Sequence, residues 1–298
     1  MPTPVLIIGC GYLGRRLAAR LRDAGHTVYA TARTEAKARE LARLGLHPCI
    51  TNVTQPLTLT AIQPALDLPE LAVAYLVPPG RAHPGPETTV REGIANTARA
   101  LRNTTITRAI LTSSTAVYGQ TDNSRITAAT PANPAHDRGK LLLEGEHIWQ
   151  SANPNAHAIL RLAGLYGPDR IIGLDAIRTA APLLGDPNAL LNLIHVDDAA
   201  ALLQTLLTNK SLPPATDLAA DGHPPTRIDY YTHLANRLGS PPPRILSPEQ
   251  AQAELNINPK ALRRAGSKHI DPSDTINRTG WQPQYPTYKA GLDHALAQ

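Results

Sequence analysis

The stretch "VLIIGCGYLG", residues 5–14, constrains this chain more than any other. An apolar run of Val, Leu and Ile leads at once into Gly9, Gly11 and Gly14 in G-x-G-x-x-G spacing, and an amphipathic pattern follows over 12–24. Each glycine answers a separate steric demand. The first permits a tight turn, the second lets backbone approach a pyrophosphate, and the third lets helix pack on strand. The start of the helix offers unpaired N–H groups and a positive partial charge to an anion. The motif predicts a dinucleotide-binding turn, with Gly9, Cys10, Gly11, Tyr12, Leu13 and Gly14 around the diphosphate and Cys10 as a small filling residue.

Further short apolar runs follow at 27–31, 47–51, 71–77, 108–114 and 157–164, each nearly unbroken, as in strands covered on both faces. Amphipathic helix candidates lie between them at 35–44, 88–103 and 137–151. Such alternation predicts an α/β fold with a doubly wound parallel sheet. After 165 the pattern loosens into a loop at 166–170, a helix candidate at 172–184, a strand at 189–195 and a helix at 197–208. Prolines then cluster at 213–214, 224–225 and 241–243, with helix candidates at 226–238 and from about 286. The expected division is a dinucleotide-binding domain over 1–165 plus about 189–210. A smaller proline-rich C-terminal substrate lobe would take about 166–188 plus 211–298.

Net charge is +5, yet no run of five or more Lys or Arg occurs. Scattered solvated charge gives no footprint for nucleic acid, so neither nucleic acid nor membrane is expected as a partner; a small-molecule substrate is. The two cysteines form no C-x-x-C pair, and the N-terminal apolar stretch is too short for a signal or a span. Both features fit the cytoplasm.

The end of the second run selects the cofactor. An acidic residue about 20 positions past the glycines would bind a ribose 2′-OH. The chain reads "ATARTEAKAR" there, with Arg33 in that place and Lys37 one turn later. Arginine accommodates a 2′-phosphate, so NADP is favoured over NAD. A surface arginine without an adenosine contact stays open as the alternative. "VPPG", 77–80, ends the fourth run, and Val77 and Pro78 are expected to pass the cofactor ribose in an extended path.

Five ordered segments carry a resemblance: "GCGYLG", "LTSSTAVYG" (111–119), "PAHDRGKLLLEGE" (134–146), "LRLAGLYGPDR" (160–170) and "LIHVDDAA" (193–200). With them the chain resembles the extended short-chain dehydrogenase/reductase superfamily, the NAD-dependent epimerase/dehydratase family. It is most similar to small atypical bacterial members with a G-x-G-x-x-G loop. The resemblance implies a Rossmann sheet, hydride transfer on a small hydroxylated or carbonyl substrate, and a homodimer in many members. It implies that Ser114 hydrogen-bonds the substrate oxygen and that Lys140 binds the nicotinamide ribose. The family's tyrosine, four residues before the lysine, is His136 in this chain.

A histidine side chain ordinarily titrates at about 6.5, against about 10 for tyrosine. Neutral imidazole accepts a proton from an alcohol but donates poorly, so the exchange is chemically tolerable and alters the pH profile. Two alternatives stay open. His136 is an ordinary residue at a helix entry, or Tyr118, on the strand-end loop with Ser114, is a substitute donor; packing of its ring is the competing role. Arg161, Tyr166 and Arg170 flank the exit of the sixth run, with Arg170 as a weak candidate for an anionic substrate. His195, Asp197 and Asp198 are read as structural, with Asp197 or Asp198 as an N-cap. The expected function is an NAD(P)-dependent oxidoreductase or epimerase/dehydratase-like enzyme. The alternative is a catalytically degenerate NADP(H)-binding sensor or scaffold.

Overall fold

The first apolar run becomes a strand with no exposed side chain: Val5, Leu6, Ile7 and Ile8 are each 0% accessible. In a computed structural model of the chain, residues 2–80, 85–153, 155–255 and 267–298 are described. In chain order the first half runs β1 (Val5–Ile8), α1 (Tyr12–Asp23), β2 (Val28–Ala32), α2 (Glu35–Arg43), β3 (His47–Ile50), a 3-10 turn (Pro56–Ile62), α3 (Gln63–Leu66), β4 (Leu71–Tyr75), α4 (Pro86–Ala100) and β5 (Ile106–Ser114). A second 3-10 turn (Thr115–Val117) then leads to β6 (Arg125–Ile126), α5 (Asp137–Ala152), β7 (His157–Leu162) and β8 (Gly164–Tyr166). The remainder is α6 (Leu174–Arg178), β9 (Leu183–Leu184), β10 (Leu193–His195), α7 (Val196–Thr208), β11 (Thr216–Ala219), α8 (Arg227–Leu238), β12 (Ile245–Leu246), α9 (Pro248–Leu255), β13 (His269–Ile270), α10 (Ser273–Thr279) and α11 (Tyr288–Leu296).

Seven strands form one sheet in the order β3-β2-β1-β4-β5-β7-β11, every pairing parallel. This is the doubly wound α/β arrangement predicted from the alternation. Strand order reverses between β1 and β4, where Ile8 pairs with Tyr75. The crevice beyond the carboxyl ends of strands at such a reversal is where these sheets bind ligands. The pleat sorts the core. Val5 and Ile7 join one hydrophobic cluster with α1 and α7, and Leu6 and Ile8 join another with Val90, Ile94 and Trp149. Each fully buried Leu or Ile stabilises the fold by about 1.5–3 kcal/mol.

The chain has no phenylalanine. Trp149 fills that role on one face, stacked on His157 with ring centroids 4.5 Å apart and tilted against Tyr75 at 5.6 Å. Its Nε1 donates to the Ala109 carbonyl (3.3 Å). Trp281 packs into the cluster on the opposite face.

Three sequence expectations differ from the structure. The sheet's last strand, β11, comes from the 211–298 stretch that was expected in the lobe. Its pattern hides it because Asp217 sits inside it; that carboxylate is buried only because Arg278 pairs with it. The strand expected at 189–195 is only Leu193–His195, and it pairs with β8 outside the main sheet. The helix expected over 172–184 stops at Arg178. Ala180 turns left-handed (φ 52°), and Pro182 cannot continue a helix. A third hydrophobic cluster, built on Tyr166, Tyr230, Tyr231 and Leu292, packs these later elements together. Among the described residues no helix is long and apolar enough to cross a membrane.

Candidate functional site

The glycine turn lies at the reversal of strand order. Gly9 adopts φ 94°, and a Cβ there would lie 2.9 Å from the Val77 nitrogen, so only glycine fits between the ends of β1 and β4. Its N–H donates to Thr31 Oγ1 on β2 (2.9 Å), which fixes the turn to the neighbouring strand. The Gly11 N–H donates to the Gly9 carbonyl (2.8 Å). A Cβ on Gly14 would lie 2.8 Å from that same carbonyl, so α1 packs closely on the turn. A Cβ on Gly11 would meet nothing within 4 Å. Gly11 is the N-cap of α1; among the described residues no side chain caps the helix, and no acidic residue occupies its first turn. The first amides of α1 therefore have no intrahelical acceptor and no competing anion. This geometry fits the diphosphate of a dinucleotide.

The neighbouring side chains are arranged around this turn. Leu13 is buried and directs its side chain into the core. Cys10 is buried too, and burial pushes its thiol up to about 11, against the pull of Arg15 and Lys37. The Tyr12 hydroxyl donates to the Pro168 carbonyl (2.9 Å), and the Arg16 guanidinium lies 4.4 Å from the ring centroid. At the end of β2, Arg33 is exposed and has no ion-pair partner among the described residues. The acidic groups nearby are occupied: Glu40 pairs with Arg15 and Lys37, and Glu35 with Arg39 (3.4 Å). Lys37, then Arg15, hold the Glu40 carboxyl below its usual range. Val77 and Pro78 follow β4 beside Gly9, with Val77 half-buried and Pro78 exposed.

The second group lies at the end of β5. Ser114 closes that strand, and its Oγ accepts from the Ala116 N–H (3.2 Å), which leaves the hydroxyl proton free to donate. The start of α5 packs on the turn that follows: a Cβ on Gly139 would lie 2.5 Å from the Ala116 carbonyl. This contact brings the His136–Lys140 segment to the Ser114 loop. His136 is extended (φ −128°, ψ 153°) just before α5, and its carbonyl accepts from the Lys140 N–H (3.0 Å). Both side chains are exposed; Lys140 Nζ lies 3.3 Å from Asp137 Oδ1, and the imidazole has no hydrogen-bond partner among the described residues.

The structure gives Tyr118 the packing position rather than that of a substitute donor. Its ring is 2% exposed in the core, and its hydroxyl accepts from Arg161 Nη1 (2.7 Å). Burial, opposed by Arg161, pushes its phenol above the usual range. Arg161 is itself clamped on the buried Glu146 carboxylate through Nε (3.1 Å) and Nη2 (2.6 Å). The cap expected at Asp197 or Asp198 is instead His195, whose Nδ1 accepts from the Asp197 N–H (3.3 Å). Burial lowers His195 to about 4, so it is neutral. Asp197 pairs with Arg16 (3.1 Å), and Asp198 accepts from the Gln284 and Tyr285 amides (2.7 and 3.0 Å). Arg170 is exposed, 5.7 Å from the Tyr12 ring centroid. Two residues at the site carry no motif signal: Thr31, which holds Gly9, and Lys268, whose Nζ donates to the Tyr118 carbonyl.

A parallel sheet with a glycine turn at its switch point defines a Rossmann-type nucleotide-binding fold. The model of the NAD dependent epimerase/dehydratase family matches residues 5–218, and the chain belongs to that family. It is 28% identical to "Protein YeeZ" of Escherichia coli K12 over 284 residues, covering 95% of this chain and 96% of that one. It is 26% identical to a "3-diazoavenalumate denitrifying reductase" of a Streptomyces species, covering 97% of this chain and 98% of that one. The crystal structure of the Bordetella bronchiseptica enzyme WbmG in complex with NAD shares the fold, with TM-score 0.79, 18% identity, and coverage of 100% of this chain and 94% of that one.

Proposed function

We propose that this chain is an NADP(H)-dependent oxidoreductase acting by hydride transfer on a small hydroxylated or carbonyl substrate. The observation that carries the reading is the open side of Gly11 at an uncapped helix start, a cradle for a diphosphate. Arg33, without an ion-pair partner among the described residues, and the pairing of Glu35 and Glu40 with Arg39, Arg15 and Lys37 support NADP over NAD. Lys37 adds positive charge on the same side. A bound nicotinamide supplies or accepts the hydride. Ser114 donates its hydroxyl proton to the substrate oxygen, Lys140 holds the ribose, and His136 accepts the alcohol proton during oxidation. The reductase relative of similar length supports redox chemistry.

Calorimetry tests the reading. NADPH binds more tightly than NADH, and Arg33→Ala lowers NADPH affinity about 10- to 100-fold, since a charged hydrogen bond contributes about 1.5–3 kcal/mol. Equal affinities in wild type and variant overturn the NADP assignment; no uptake of either nucleotide overturns the whole reading. A second reading has one observation in its favour: among the described residues no group orients the exposed His136 imidazole. On that reading the chain is an NADP(H)-responsive sensor or scaffold. Its signature is tight NADPH binding with no turnover on a panel of aldehydes and ketones.

A further inference from the structure

Lys268 places an ammonium where no counter-charge meets it among the described residues. The residue precedes β13, and its Nζ donates to the Tyr118 carbonyl, on the loop that follows Ser114. The backbone on both sides is pinned. The Ser267 carbonyl accepts from the Asn123 N–H (2.8 Å), and Ser267 Oγ accepts from the Leu190 N–H (2.9 Å). The Asn192 side chain donates to the Lys268 carbonyl and accepts from the Ile270 N–H, both at 2.8 Å. The base of the side chain is thus fixed by the segments that lead into β6 and β10, which hold the chain entering β13.

The ammonium is partly desolvated, which lowers its proton affinity, and among the described residues no carboxylate acts on it. An ammonium has three N–H donors. One is used on Tyr118; among the described residues the other two meet no acceptor. A partly buried cation without an opposite charge costs free energy, and a ligand anion removes that cost.

The location suits a substrate. Tyr118 bridges to Asn133, and a Cβ on Gly119 would lie 2.5 Å from the Asn133 carbonyl, so the carbonyl that Lys268 holds abuts the strand of chain entering His136. The same loop begins at Ser114 and supports Gly139 of α5. We propose that Lys268 is a substrate-binding residue whose two remaining N–H groups receive the carboxylate of the substrate while the reacting oxygen lies at Ser114. This rests on the proposed placement of the substrate beside Ser114. A carboxylate is the matching anion because one positive charge neutralises one negative charge. A phosphate dianion would leave net negative charge in a partly desolvated position, and the exposed Lys140 is already beside Asp137.

The test uses the full chain carrying 13C,15N-labelled lysine, with the Lys268 Cε and Nζ resonances assigned by their loss in Lys268→Arg, or in Lys268→Met should the first variant not fold. Sodium acetate and inorganic phosphate are titrated in turn at matched ionic strength. Acetate is expected to move the Lys268 signals in a saturable way and to shift their titration midpoint upward, with a smaller response to phosphate. A larger response to phosphate overturns the carboxylate assignment, and no saturable response to either overturns the subsite. NADPH calorimetry on Lys268→Met separates this inference from the cofactor reading: unchanged NADPH affinity is expected, and a loss equal to that of acetate would make Lys268 part of the cofactor site instead. If wild type takes up no nucleotide, the cofactor reading fails while the acetate titration still decides the subsite.

Discussion

Gly11→Ala separates binding from folding at the glycine turn. The added methyl meets no protein atom within 4 Å, and Gly11 is an N-cap rather than a helix interior position. Replacing an N-cap glycine by alanine changes stability by no more than about 1 kcal/mol. On the proposed binding mode the methyl, at the N-cap of α1, crowds a diphosphate held on the first amides of that helix. Losing two hydrogen bonds to a charged group, at about 1.5 kcal/mol each, lowers affinity by about 3 kcal/mol, or roughly 100-fold. Gly14→Ala inverts the pattern. Its Cβ would sit 2.8 Å from the Gly9 carbonyl, a backbone atom that cannot swing aside, so α1 must move off the sheet and stability falls. Urea unfolding and NADPH calorimetry on both variants give the comparison. Wild-type affinity in a stably folded Gly11→Ala protein would refute a diphosphate on this turn.

Other perturbations probe the surroundings. Arg161→Met leaves the buried Glu146 carboxylate unpaired and costs about 3–5 kcal/mol in urea unfolding; Lys140→Ala, which removes an exposed pair, stays within about 1 kcal/mol. Equal effects of the two would contradict the buried network. Burial raises Asp221 from 3.8 to about 7. The folded state therefore holds a proton that the unfolded chain has released, and the stability this carboxyl contributes below pH 3.8 is lost as pH rises through about 7. The wild-type stability curve should fall across that window relative to Asp221→Asn; parallel curves would rule this out. His136→Ala should abolish turnover of a responsive carbonyl substrate while NADPH affinity holds. Undiminished turnover removes His136 from the proton path.

Much of the nucleotide half was legible in the sequence because its signals are local. The β1–turn–α1 unit is announced by continuous apolar residues and by glycines, two of which, Gly9 and Gly14, answer close contacts within a few residues or at the end of the adjoining strand. Strand β11 was not legible, since Asp217 reads as polar until Arg278, far along the chain, neutralises it. The cap at His195 has no clear signal because histidine is an uncommon capping side chain, and two aspartates lie two and three residues beyond it. Ser114, His136 and Lys140 stand out in the sequence through the family resemblance, but the contact of Gly139 with Ala116 that brings the start of α5 to the turn after Ser114 is tertiary. Lys268 had no signal at all: its partner is a main-chain oxygen 150 positions away.

The absence of phenylalanine leaves each side of the sheet with a single indole, Trp149 on one and Trp281 on the other. Fluorescence of the two single-tryptophan proteins therefore watches the two layers independently. Coincident transitions would mean that both layers collapse as one cooperative unit, and separated ones would identify which layer gives way first.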